Sequence, residues 1–170
     1  MRIEDLLLLE GWDWKGEVKK YENVEPGTEM DVAKYRGKGY FYGALAVFAG
    51  SSDARYAGML VNIDNTFYMP LYPYGLRVMG LDMWTPYGTF VLKYDTVANI
   101  YIVAEIPGYL IPIKEKMDIK IVYPETTITI WGEHTNTDPI TVYVLYLYVQ
   151  IYDEDAFKRS IRELWGTRRV

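Results

Sequence analysis

The chain has 170 residues, no cysteine and a formal net charge of −5 at pH 7. This length suits one domain with a sizeable core, and the lack of cysteine excludes disulfides, thiolate zinc sites and a cysteine nucleophile. The acidic balance argues against general nucleic-acid binding. The chain has 17 tyrosines, and its single glutamine beside many Ile, Val and Tyr residues is typical of a thermophilic source.

Residues 1–35 are predicted to form an N-terminal arm and a loop. The segment 3–10 holds a run of four leucines without a clear period, which predicts a short helix or an ordered arm. The run is too short to span a membrane and lacks the features of a signal peptide, so we expect no membrane span and no secretion signal. Residues 11–39, rich in Gly, Glu and Lys, predict a loop with one weak strand at 28–34.

Residues 36–152 carry the pattern of an antiparallel β-sandwich. Apolar runs of strand length are separated by short turn clusters, and no helical pattern alternates with them, which disfavours a parallel α/β sheet. We expect about eight or nine strands in an all-β sandwich of the jelly-roll kind. The runs are GYFYGALAVFA, YAGMLVNID, TFVLKYD, NIYIVAEI, YLIPI, MDIKIVY, TTITIW and ITVYVLYLYVQIY.

The last of these runs, residues 140–152, is apolar on both faces. An antiparallel strand with one wet face alternates between apolar and polar residues, so this strand requires a second covering layer. We expect the aliphatic set to face the core, namely Leu145, Leu147, Val149 and Ile151. We expect the tyrosine set to contact the C-terminal helix or a neighbouring subunit, namely Tyr146, Tyr148 and Tyr152.

Residues 153–166 predict an amphipathic helix. Asp153 is a natural N-cap, acids follow in the first turn, and Gly166 is a natural stop. One apolar stripe runs along the helix at i, i+4, i+7 and i+8. It consists of Phe157, Ile161, Leu164 and Trp165. The stripe has two interpretations, since it could pack on the sandwich of its own chain or on a neighbouring subunit.

Catalytic and metal-binding patterns are hard to find. His134, the only histidine, lies in a polar segment typical of a hairpin loop, and no serine lies in a nucleophile elbow. The carboxylates are scattered over strand ends without a distinctive pair, and there is neither a calcium-loop spacing nor a phosphate-binding glycine loop. The sequence therefore predicts a protein that is not an enzyme, with no cofactor and no metal.

A long aromatic segment, residues 66–88, is the best candidate for a ligand or partner loop. Prolines and glycines punctuate it, which predicts an irregular loop. Its rings could stack on sugars, anchor a protein partner, or pack locally on the sandwich edge. The candidate residues are Tyr68, Tyr72, Tyr74, Trp84 and Tyr87.

The order of an arm, antiparallel strands and a helical tail resembles jelly-roll structural proteins of phages or archaeal viruses. The resemblance covers residues 36–166 and rests on GYFYGALAVFAGSSDARYAGMLVNIDN and VYVLYLYVQIYDEDAFKRSIRELWG. It implies a repeated virion component (capsid, decoration, tail or fibre) that binds itself and other virion proteins, located in the virion or in the cytoplasm of the infected host. The alternative is a carbohydrate- or receptor-binding β-sandwich that takes a glycan at the loop 66–88.

Overall fold

Strands dominate the computed structural model, which describes residues 9–81 and 88–167. The strands are β1 Trp12–Val24, β2 Thr28–Arg36, β3 Gly39–Ala49, β4 Gly58–Ile63, β5 Thr66–Leu71, β6 Thr89–Asp95, β7 Ile100–Glu105, β8 Ile111–Ile113, β9 Lys116–Tyr123, β10 Thr126–Thr129, β11 Gly132–Thr135 and β12 Ile140–Ile151. The helices are a 3-10 helix at Ser52–Tyr56, α1 at Pro73–Val78 and α2 at Glu154–Thr167. The predicted all-β class with a C-terminal helix is confirmed.

The strands form a jelly roll. A six-stranded sheet has the order β1-β12-β3-β7-β6 with β8 also paired to β3, and a four-stranded sheet has the order β2-β9-β4-β5. The antiparallel pairs are nested: β1 with β12, β2 with β9, β3 with β8, and β4 with β5. This is the pattern of one long hairpin rolled into two facing sheets. Hairpins β6–β7 and β10–β11 are insertions in it.

The core lies between the two sheets. Along β9 every second residue is buried, the period expected of a strand with one face on the core. The largest fully buried apolar side chains are Phe41, Phe48, Met59, Tyr101, Met117, Ile119, Ile121, Tyr123 and Ile140. The rigid sandwich therefore fixes the positions of the loops that connect its strands.

The N-terminal region differs from the prediction of a loop at residues 11–39. The weak strand predicted at 28–34 is confirmed as β2, but β1 is a further strand of 13 residues. β1 lies at an edge of the six-stranded sheet and carries charges on both faces, such as Glu17 and Lys20. Charged residues on an edge strand discourage unwanted pairing. On both faces of β1 they also replace the alternation of apolar and polar residues by which a strand is recognised in a sequence.

The predicted orientation of β12 is wrong. Val142 and Val144 are fully buried and Tyr146 is 8% exposed, whereas Leu145 is 47% exposed. Tyr146 and Tyr148 thus face the core, which removes them from the predicted outer surface. The reason is that tyrosine buries its ring while its hydroxyl reaches the rim: the Tyr146 hydroxyl donates to the Glu17 carboxylate at 2.9 Å.

The other two tyrosines of the set, Tyr148 and Tyr152, lie in different environments. The ring of Tyr148 packs against Tyr35, with centroids 4.8 Å apart, on the edge of the main core. Tyr152 lies just after the strand and is exposed. Of the three tyrosines predicted to meet a partner, Tyr152 therefore has the most free surface.

Helix α2 packs on the outer face of its own six-stranded sheet. Phe157 is buried against Leu9 and Val149. Asp153 caps the helix by accepting a hydrogen bond from the Ala156 amide at 3.0 Å, as its sequence predicts. Partly buried residues surround this cluster: Trp12, Trp14, Tyr40, Leu110, Ile151, Ile161 and Leu164. Of the predicted stripe, Trp165 remains half-exposed.

Candidate functional site

Long connections gather at one end of the sandwich. The 3-10 helix follows β3, α1 follows β5, and hairpin β10–β11 follows β9, so all three lie where these strands end. At the opposite end the turns are short, and the Asp64 carboxylate accepts hydrogen bonds from the amides of Lys114, Glu115 and Lys116. Binding residues concentrate on loops that a rigid scaffold holds in place. The end with the long connections is therefore the candidate location of a binding site.

A groove of about 620 Å³ lies between these three connections. Tyr56 and Tyr74 meet on its floor with ring centroids 5.2 Å apart, and the Tyr74 hydroxyl accepts a hydrogen bond from the Ile130 amide at 3.2 Å. The described residues that line the groove are uncharged: Tyr56, Tyr72, Tyr74, Gly75, Val78, Met79, Pro124 and residues 126–130. We call this feature the loop-end groove.

The buried carboxylate of Asp53 holds the β10–β11 hairpin in place. One oxygen contacts His134 Nε2 at 2.9 Å, and the other accepts hydrogen bonds from the amides of Thr137 and Asp138 at 2.9 and 3.4 Å. The His134 ring in turn packs on Tyr56, with centroids 4.6 Å apart. Burial alone would raise the pKa of Asp53, but these hydrogen bonds outweigh it and hold the pKa below its ordinary value.

Acid is therefore expected to loosen the loop end. Because the folded-state pKa of Asp53 lies below its unfolded value of 3.8, its contribution is present above that value and is lost as pH falls through the folded pKa. We expect Asp53→Asn to lower the free energy of unfolding at pH 7 by about 1–3 kcal/mol. Urea titrations should also show a shallower decline in its stability below about pH 4 than in the wild type.

The matched control for this prediction is Glu115→Gln, which removes an exposed carboxylate at the opposite end of the sandwich. It should change the free energy of unfolding by less than about 0.5 kcal/mol. If the Asp53→Asn chain had the wild-type free energy of unfolding both at pH 7 and below about pH 4, the carboxylate would not anchor the hairpin.

The tip of the same hairpin carries exposed apolar side chains. Trp131 is 90% exposed, and Ile128 and Ile130 beside it are also exposed. Across the loop-end groove, Val78 and Met79 at the end of α1 are exposed as well. Large apolar groups gathered on a surface mark an interaction site more often than an accident of composition.

A second apolar surface lies on the outer face of the six-stranded sheet, where helix α2 does not reach. Val18 on β1, Leu145 on β12 and Leu45 on β3 lie side by side in one row. The neighbouring rows add Tyr143, Val47 and Leu147. We call these six residues the bare sheet face. A hollow of about 160 Å³ opens in it, lined by Tyr42, Gly43, Ala44, Leu45, Ile106, Leu145 and Leu147.

The structure brings together only part of the predicted aromatic loop. Tyr72 and Tyr74 both line the loop-end groove, and residues 66–78 of the segment form β5 and α1 rather than an irregular loop. Tyr68 lies on β5, opposite Val61. Trp84 and Tyr87 lie outside the described residues. Sequence reasoning missed Tyr56 and Trp131, although the apolar pair Ile130–Trp131 before Gly132 is an unusual turn and could have drawn attention to this site.

Within residues 9–81 and 88–167, no three His, Asp or Glu side chains are grouped in a way that could hold a metal ion. Across the same residues, no helix combines the length and the apolar character needed to cross a membrane. Ser51 caps the 3-10 helix by accepting from the Asp53 amide.

Comparison with known proteins gives little beyond these observations. The chain matches no family model and no curated protein sequence. Among solved structures it is similar to the serine protease of Aeromonas sobria, crystallised with its chaperone and alone. The identities are 9% and 8%, with a TM-score of 0.31 in both cases. Each match covers 82% of this chain and only 27% of the other.

Proposed function

We propose that this protein is a non-enzymatic structural subunit that associates with copies of itself through the bare sheet face. The supporting observation is that, among residues 9–81 and 88–167, α2 covers one end of the outer face of the six-stranded sheet, while apolar side chains on the rest of that face are exposed. Val149 is buried under Phe157, while Leu145, four residues earlier on the same strand, is 47% exposed. A strand that is apolar on both faces gains from a second layer along its whole length.

The charge pattern supports a second copy as the partner. Identical chains with a net charge of −5 repel each other, so a contact between copies is favoured where the surface is neutral. The hollow in the bare sheet face has no charged residue among its described lining. The lysines at its two margins are already paired, Lys20 with Glu22 and Lys93 with Asp95. Two facing sheets would pack about 10 Å apart, as in a β-sandwich.

We extend the proposal to a repeated virion component, such as a capsid, decoration, tail or fibre protein. A jelly roll is a common building block of viral capsids and also occurs in lectins and cupins. The edge strand β1 carries charges on both faces, such as Glu17 and Lys20, which discourages pairing at that edge and favours association through the sheet faces. In this role the protein would be found in virions or in the cytoplasm of the infected host.

Light scattering on a size-exclusion column tests self-association directly. We expect the full chain at micromolar concentration to have at least twice the mass of the monomer, and the mass should rise with concentration. An interface of the usual size buries about 800 Å² per partner and supports such an association. A chain that remains a monomer at near-millimolar concentration would overturn the proposal.

A further inference from the structure

The turn at the tip of hairpin β10–β11 contradicts ordinary turn chemistry. Its central residues are Ile130 and Trp131, at positions where Gly, Asn, Asp and Ser prevail. The backbone does not require them, because Gly132 supplies the positive φ of +111°. The Thr129 hydroxyl closes the turn by donating to the Gly132 carbonyl and accepting from the Trp131 amide. Large apolar side chains exposed at a turn that does not require them point to an interaction.

Hydrogen bonds to the hairpin and to its base hold the tip in place. The Asp53 carboxylate fixes His134 on β11. The side-chain Nδ2 of Asn136 donates to the Pro124 carbonyl at 2.7 Å, which ties the base of the hairpin together. Tyr74 from α1 supports the tip itself through the Ile130 amide. A side chain presented on such a support loses little entropy when it binds, so an exposed tryptophan there is a preorganised anchor.

The loop-end groove beside the tip favours an apolar, uncharged occupant. None of its described lining residues is a carboxylate, a carboxamide or a guanidinium, the groups that usually fix the hydroxyls of a sugar. Two of its hydroxyls are engaged within the hairpin, since Thr127 accepts from Asn136 and Thr129 closes the turn. A glycan would stack on the tyrosines but would find few polar partners for its many hydroxyls, whereas an indole needs only one acceptor, for its ring N–H.

We propose that the hairpin tip, Ile130 and Trp131, inserts into the loop-end groove of a second copy while that copy inserts its own tip in return. A two-fold contact requires one patch that contains both the projecting group and its recess. Here Ile130 lines the groove and Trp131 is the next residue. The neutral lining also lets two chains of net charge −5 approach without local repulsion.

This inference rests on the proposed self-association but assigns it a second, separate surface. The bare sheet face and the loop-end groove belong to different parts of the sandwich. One subunit with two different two-fold contacts links copies into a chain, or into a ring where the geometry closes. The partner of the groove is therefore a further copy of this protein, and the assembly extends beyond a dimer.

The test uses variants that remove the tip or the groove. In a Leu145→Asp background, which removes the sheet-face contact, Trp131→Ala deletes the anchor and Val78→Asp places a charge in the groove. Each should raise the dimerisation Kd at least about 30-fold, the effect of an interface hot spot. An equimolar mixture of the two variants should recover part of the dimerisation, because the mixed dimer keeps one of the two tip–groove insertions while each variant alone keeps none. Trp165→Ala, at an exposed position on α2, is the control and should leave the Kd unchanged.

The outcomes separate the two proposals. If Trp131→Ala leaves the mass unchanged in both the wild-type and the Leu145→Asp chains, the loop-end contact is overturned and the sheet face stands. If Leu145→Asp leaves the mass unchanged while Trp131→Ala produces monomers, the sheet face is overturned and the loop-end contact stands. Tryptophan emission that shifts on titration with neutral oligosaccharides in the Leu145→Asp chain, and not after Trp131→Ala, would assign the groove to a glycan and overturn the inference.

Discussion

The Leu145→Asp chain is expected to lose the contact through the bare sheet face, so its mass in solution should fall below that of the wild type at the same concentration. Leu145 lies between Val18 and Leu45 in the middle of the bare sheet face. A carboxylate there would have to leave water without a cation opposite it, which costs several kcal/mol in an apolar interface. We therefore expect the sheet-face Kd to rise more than about 100-fold, measured by light scattering over a dilution series.

Folding of the variant is not expected to suffer, because Leu145 is 47% exposed in the single chain. The free energy of unfolding should change by less than about 1 kcal/mol. Val18→Asp, on the adjacent edge strand, should reproduce the loss of mass. Val97→Asp provides the matched control, since it makes the same kind of change at an exposed position in the β6–β7 turn. Equal masses for Leu145→Asp, Val97→Asp and the wild type would exclude the sheet face as an interface.

The strands of the core were predictable from sequence, and their environment explains why. β9 alternates buried and half-exposed residues over its whole length, so its period is visible without any structure. β1 was not predictable in this way, because an edge strand with charges on both faces has no such period. Its place is set by long-range pairing with β12, for example Trp14 opposite Val149, and a local pattern contains no information about that partner.

The orientation of β12 shows a different limit of sequence reasoning. Both sets of side chains on this strand are apolar, so hydrophobicity alone cannot choose the inner face. The choice depends on where each hydroxyl finds a partner, as Tyr146 does with Glu17. The need for a second layer was nevertheless predictable. Among the described residues, α2 supplies that layer at one end of the face, and Val18, Tyr143 and Leu145 on the rest of the face are exposed.

The loop-end groove could be predicted only in part. Tyr72 and Tyr74 belong to one aromatic segment and were identified as candidates. Tyr56 and the β10–β11 hairpin come from distant parts of the chain, and they join the site because the jelly roll brings its alternate connections to one end. The contact between Asp53 and His134, 81 residues apart in sequence, follows from the same topology. Such a site becomes visible only when the strand order is known.

The helix α2 is expected to contribute strongly to the stability of a single chain, and Phe157→Ala tests this. Phe157 is buried between Leu9 and Val149, and truncating a buried phenylalanine costs about 3–5 kcal/mol. Urea unfolding should show a loss of that size. Arg162→Ala, at an exposed position of the same helix, should cost less than about 0.5 kcal/mol.

The same experiment separates packing on the helix's own sheet from exchange between copies. With Leu145→Asp and Trp131→Ala also present to suppress both proposed contacts, the cost of Phe157→Ala should be the same at low and high protein concentration, because the helix covers the sheet of its own chain. If the helix instead covered a neighbour, unfolding of the Leu145→Asp/Trp131→Ala parent chain would depend on concentration, since dissociation would accompany it. A cost no larger than that of Arg162→Ala would show that the helix does not seal this end of the sheet. The uncovered surface would then extend from Leu145 to Ile151, and the proposed interface would grow to include it.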